Sequence, residues 1–73
     1  MTDEQILERL AGLEHQQFIA FSKSISDEVS KERLERWKKL WRPYRELPEA
    51  DKETARFYAR KIFKILEEIA NLL

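Results

Sequence analysis

The sequence predicts an all-α protein, a compact three-helix domain with long first and third helices and a short second helix crossing them. Apolar residues recur at helical spacing along the whole chain. Only one glycine and two prolines interrupt 73 residues, and no segment alternates as a strand would. The chain is expected to form a single domain over residues 1–73. So short a chain buries only about 60 % of its unfolded surface, which leaves nothing to divide between two cores.

The first helix opens on Thr2, with Gln5 three residues later in a capping-box pattern and Asp3 and Glu4 at the positive end of the helix dipole. Ile6, Leu10, Leu13, Gln17 and Phe21 then form one stripe, and Leu7, Ala11, Glu14, Phe18 and Ile25 form a second beside it. So wide an apolar face predicts contact with two neighbours. Gly12 lies inside it at a cost of about 1 kcal/mol relative to alanine. Either two backbones approach closely there, or the position is simply unoptimised. The serines of Ser22–Ser26 compete for backbone hydrogen bonds, so the helix is expected to end between Ser26 and Val29.

Ser30 is the expected cap of a second helix over Lys31–Trp41, buried through Leu34, Trp37 and Trp41. Pro43 disfavours helical geometry at Arg42 and stops it. Pro48 suits the first turn of a third helix, which reaches the end of the chain. Ala55, Tyr58, Ala59, Ile62, Leu66, Ile69 and Leu73 are its expected core face, with Arg56, Arg60, Lys64, Glu67 and Asn71 opposite. Phe57 breaks the pattern, projecting from the polar side. It either caps the core where the 43–47 connection folds back or contacts another protein.

Composition excludes several functions. Without cysteine there is no disulfide or thiolate site. One histidine cannot hold a metal by itself, so no metal or cofactor is expected. No apolar run approaches the roughly 20 residues of a membrane span, so no membrane association is expected and a cytoplasmic protein is the default. No carboxylate pair suits acid–base catalysis. Glu49 and Asp51 sit at a helix N-terminus and Glu67–Glu68 on a solvated face. No catalytic residue, and no enzyme, is therefore expected.

Net charge is zero but uneven: residues 1–30 carry −4, residues 31–45 carry +5 and residues 46–73 carry −1. In the basic segment Trp37, Trp41 and Tyr44 alternate with Arg33, Arg36, Lys38, Lys39, Arg42 and Arg45, the combination that single-stranded nucleic acid binds. The tryptophans share a face with Leu34, however, and Glu32–Arg36 and Glu35–Lys39 are spaced as surface pairs. Nucleic acid is thus disfavoured as a partner. A small anionic ligand uses the same region more economically. The turn at Pro43–Pro48 brings Tyr44 to the start of the third helix, where Lys52 and Arg56 could face a phosphate or carboxylate. The bland alternative has Tyr44 filling the junction while Lys52 and Arg56 pair with Glu46 or Glu49. His15, on the flank of the first helix, is expected to pack and make one hydrogen bond, with ligand contact as the other reading.

His15 with an aromatic three residues later, the Lys-rich helix, and Pro43-Tyr44-x-x-Leu47-Pro48-Glu49-x-x-Lys52 followed by Arg56 occur in an order that resembles the ryanodine receptor repeat. The likeness is to the short stand-alone versions of bacteria, archaea and their phages, and it covers about residues 7–69. Phe18 stands where that pattern usually has Trp, and Ala55 where it usually has an acid before the arginine. The resemblance implies a helical, non-catalytic binding module, with a nucleotide-derived or other small anionic ligand held near Tyr44, Lys52, Arg56 and His15. Two alternatives stand beside it: a small phage-type inhibitor or interaction protein contacting its target through Phe57, and a weak nucleic-acid binder. A homo-oligomer is compatible with each.

Overall fold

The computed structural model describes residues 1–72. Three helices, α1 (Asp3–Ser24), α2 (Lys31–Lys38) and α3 (Glu49–Leu72), account for most of the chain, and there is no strand among the described residues. The expected caps form. Gln5 N–H donates to Thr2 Oγ1 at 3.1 Å and the Gln5 side chain accepts from Thr2 N–H at 2.9 Å, while Ser30 Oγ accepts from Arg33 N–H at 3.1 Å.

Helix ends differ from the expected ones. α1 stops at Ser24, where the Ser24 hydroxyl donates to the Phe21 carbonyl at 2.6 Å and a 3-10 turn follows over Ser26–Glu28. α2 stops at Lys38 rather than Trp41, because Leu40 N–H turns back to the Trp37 carbonyl and Arg42 N–H to the Leu40 carbonyl. This early stop swings Trp41 out of the helix and against α1, where its indole N–H donates to Ser22 Oγ at 2.9 Å. Ser22 is wholly buried, and its hydroxyl in turn donates to the Ile19 carbonyl. A second 3-10 turn, Tyr44–Glu46, leads into α3, whose first turn is closed by Asp51 and Lys52 N–H groups on the Pro48 carbonyl.

The core is thin and built on alanine. Ala11 of α1 packs against Ala55 and Ala59 of α3, flanked by Leu7, Leu10 and Tyr44. Small side chains let the two helix axes approach closely, but they contribute little apolar area. α1 is shared end to end: its first half packs on α3, its second half on α2 and the following turn. There Phe18 meets Trp37 edge to face at 5.9 Å, and Lys23 covers the Trp41 ring at 5.4 Å.

The expected face of α3 is only half covered. Ala55 and Ala59 are buried, but Tyr58, Ile62, Leu66 and Ile69 are not, and Leu73 lies outside the described residues. There are two reasons: the side of α3 turned to α1 carries Lys52, Ala55, Arg56, Ala59 and Phe63, which leaves Tyr58 off it, and beyond Lys61 α1 is too short to cover the rest. Helices α1 and α3 are antiparallel, with Glu8 facing Arg56, so α1 begins opposite roughly Lys61. Residues 62–72, about 16 Å of helix, run past it. The molecule measures 47 × 23 × 14 Å with a radius of gyration of 14.4 Å, against about 11 Å for a compact domain of this length.

Gly12 is also settled. A Cβ built there meets nothing within 4 Å, and the glycine φ is not positive. Close approach is not its purpose. Gly12→Ala should therefore raise stability by about 0.5–1 kcal/mol, visible as a higher melting temperature by circular dichroism. An unchanged or lower melting temperature would show a constraint at this position that the packing does not contain.

Candidate functional site

Three of the four residues expected to hold an anion do converge, and what they surround is an anion from the chain itself. Glu8, on α1, accepts from Arg56 Nε at 3.0 Å and Nη2 at 2.6 Å, a paired fork contact. The Tyr44 hydroxyl donates to the same carboxylate at 2.7 Å. Lys52 Nζ stands 5.9 Å from the Tyr44 ring centre and 3.9 Å from Glu49. Arg56 Nη1 donates to Glu49 at 2.9 Å and to Glu53 at 3.4 Å, and Arg60 Nη2 donates to Glu53 at 2.5 Å. Every guanidinium nitrogen of Arg56 thus has a carboxylate partner. The missing acid at Ala55 leaves no cation stranded, because α1 and the first turns of α3 supply three.

The local sequence explains the placement. Pro43 holds an extended backbone and forces the tight turn at Tyr44–Glu46, which aims Tyr44 at α1. Arg56 follows the buried Ala55 on α3 and so reaches along the edge of the α1 contact to Glu8. Glu49, Lys52, Glu53 and Arg56 are three or four apart and share a face. Glu8 was not legible as a site residue. It sits beside the apolar stripe of α1, and only the antiparallel register brings it to Arg56.

The electrostatics follow from these contacts. The Arg56 hydrogen bonds, with Tyr44 and Lys52 adding to them, hold the Glu8 carboxyl down at about 2. Burial and the neighbouring Glu8 carboxylate push the Tyr44 phenol up to about 12. Arg56 is raised by its bonds to Glu8 and Glu49. Glu53, bonded to Arg60, is lowered.

His15 lies two turns further along α1, away from the cluster. It is buried, its Nε2 donates to the Arg42 carbonyl at 2.8 Å, and its ring stacks on Phe18. Beside it a cleft of about 150 Å³ opens between α1 and α3, walled by Phe18, Leu40, Leu47, Ala55 and Tyr58, with Glu14, Asp51 and Thr54 at its edge. Next to Tyr58, the Phe57 ring is exposed rather than folded over the core; it meets Tyr58 edge to face at 5.3 Å, and Lys61 Nζ lies 4.6 Å from its centre. The 43–47 connection packs on α1 instead of reaching Phe57.

Among the described residues, no group of three His, Asp or Glu side chains is placed to hold a metal ion, and no helix is long and apolar enough to cross a membrane. No family model, curated protein or solved structure matches the chain.

The depressed Glu8 value carries a pH prediction. Its folded value of about 2 lies below the ordinary 4.5, so its contribution is complete above about 4.5 and lost as pH falls towards 2. Glu8→Gln keeps an acceptor for Tyr44 but removes the charge. The variant should melt lower at neutral pH and converge with the wild type as pH falls through that window. Parallel melting curves down to the acid end would show that the carboxylate does not clamp the helices.

Proposed function

We propose that this chain is a non-catalytic protein-interaction module, which takes an apolar side chain of a partner polypeptide into the cleft beside His15. The observation that carries the reading is the cleft itself. Its walls are aromatic and aliphatic, its edge is polar, and Tyr58, Phe57 and Lys61 extend it onto open surface. A volume of about 150 Å³ is close to that of a cavity known to accept benzene, and below the roughly 300–1,000 Å³ usual for small-molecule sites. One leucine or phenylalanine side chain fits these dimensions; a nucleotide does not. Aromatic residues with a nearby cation are also the types enriched where interfaces concentrate their binding energy. Its one imidazole is already bonded to a backbone carbonyl, which supports a binding role over a catalytic one.

A second reading keeps the small anionic ligand at Tyr44, Lys52 and Arg56. In its favour, the Lys52 ammonium has only a long contact, 3.9 Å, to Glu49. A phosphate entering there would have to displace Glu49 from Arg56, and it would still meet Glu8 behind. Nucleic-acid binding has less support: Trp37 meets Phe18 edge to face, Lys23 covers the Trp41 ring, and both tryptophans are half-buried.

Selection of random peptides displayed on phage against the immobilised chain tests the proposal. Enriched peptides should carry one aromatic or leucine anchor and shift the amide resonances of His15, Phe18 and Tyr58. Tyr58→Glu should weaken them by tenfold or more, roughly the 1.4 kcal/mol expected when a charge enters an apolar contact. If no peptide enriches, while nucleotides, cyclic dinucleotides or NAD-related compounds shift Tyr44, Lys52 and Arg56, the small-ligand reading replaces this one.

A further inference from the structure

The chain carries fourteen acidic side chains, and only those of Glu8, Glu14 and Asp51 belong to residues that are not fully exposed. Glu8 is held by Arg56 and Tyr44. Glu14 and Asp51 are held by nothing. Among the described residues no cation stands within ion-pair distance of either, and both lie at the edge of the cleft beside His15. A carboxylate that has lost part of its hydration without gaining a partner opposes folding. For Asp51 the first turn of α3 supplies part of a reason, since the helix dipole favours an acid there. Glu14 sits in the middle of α1, where the dipole offers nothing.

We propose that the polypeptide segment taken into this cleft carries a lysine or arginine one or two positions from its apolar anchor, and that Glu14 and Asp51 receive that base. This rests on the reading of the cleft as an anchor site and adds the chemistry of the anchor's neighbour. The spacing follows from α1. Glu14 and Phe18 are four residues apart on one face, so their Cβ atoms are about 6 Å from each other. An anchor resting on Phe18 therefore has the carboxylates within reach of the next residue or the one after, because successive Cα atoms stand about 3.8 Å apart. The long stem of a lysine or arginine can lie along the apolar wall while its charged head stays at the wet edge. Thr54, the third polar side chain at that edge, is already bonded to the Ala50 carbonyl at 3.2 Å.

Charge at the far end of the cleft has the opposite sign. On α3, Asp51 lies about two turns before Tyr58, whereas Lys61 lies one turn beyond it, with Nζ 5.8 Å from the Tyr58 ring centre. The rim thus runs from negative at Glu14 and Asp51 to positive at Lys61, which gives a bound segment its direction. A base beside the anchor is attracted at the first end and repelled at the second. An acid at the first end meets two carboxylates and is rejected, so the rim discriminates as well as attracts.

The test uses peptides selected from a random phage library on the immobilised full chain and then synthesised. Those that shift the His15, Phe18 and Tyr58 amides should carry lysine or arginine one or two positions from the anchor. Changing that base to glutamate should weaken binding about fivefold or more by fluorescence anisotropy at low salt, as attraction to two carboxylates becomes repulsion. The gap should narrow as salt is raised. Glu14→Gln combined with Asp51→Asn should bring the two peptides level, with circular dichroism as the check on folding. If that double variant does not fold, Glu14→Lys alone should narrow the gap in the same way. Peptides that bind in the cleft without a basic neighbour, or a gap that survives in folded variants, overturn the proposal and leave the anchor site standing. If no peptide shifts those three amides, the anchor site is itself rejected and this proposal falls with it.

Discussion

The carboxylate of Glu8 is the point at which three separate parts of the chain meet. It receives Arg56 from α3 and Tyr44 from the connection, with Lys52 beside it. In a protein with a large core such a cluster would decorate the edge of a packing already decided by bulky side chains. Here the core between α1 and α3 is three alanines with two leucines and a tyrosine at its margin. Alanine contacts are nearly indifferent to sliding, because successive turns look alike. A bidentate fork is not indifferent. It is satisfied in one register, and a shift of one turn would break both bonds from Arg56 to Glu8 and leave Tyr44 without its acceptor. The polar clasp therefore fixes where α3 sits on α1, and through that register it fixes how much of α3 is left over.

That remainder is the most consequential feature of the molecule. α1 divides its length between two neighbours, since Trp41 and Trp37 claim its second half just as Ala55 and Ala59 claim its first. A helix of 22 residues shared in this way cannot also cover one of 24. The distal apolar stripe of α3 follows from the geometry of the clasp, and it is not an irregularity of one surface. An eleven-residue helical extension has little stability of its own in water, so its persistence depends on what covers the stripe. The same clasp occupies the cations that might otherwise recruit an anion, which moves the functional interest of the chain from charge to apolar surface.

Much of this was legible in the sequence. The caps at Thr2 and Ser30 and the restart after Pro48 depend on local chemistry, which a single sequence carries. The convergence of Tyr44, Lys52 and Arg56 was legible for the same reason, since all three lie within thirteen residues of one turn. The anion at their centre was not, because Glu8 is 48 residues from Arg56 and meets it only through the helix register. Periodicity likewise showed an apolar face on α3 from Ala55 onward but could not say where its cover ends. The early end of α2 escaped because the pairing of Trp41 with Ser22 is tertiary, and it overrides a helical pattern that looked continuous to Trp41.

Amide hydrogen exchange measured residue by residue bears most directly on this division of α3. Amides near Ala55 and Ala59, and their neighbours around Ala11, should show the highest protection. Amides from Lys64 to Leu72, where α3 is exposed on every side, should exchange quickly in dilute solution. Equal protection along the whole of α3 in dilute solution would contradict the account, since it would mean that the distal half is held by the chain's own fold.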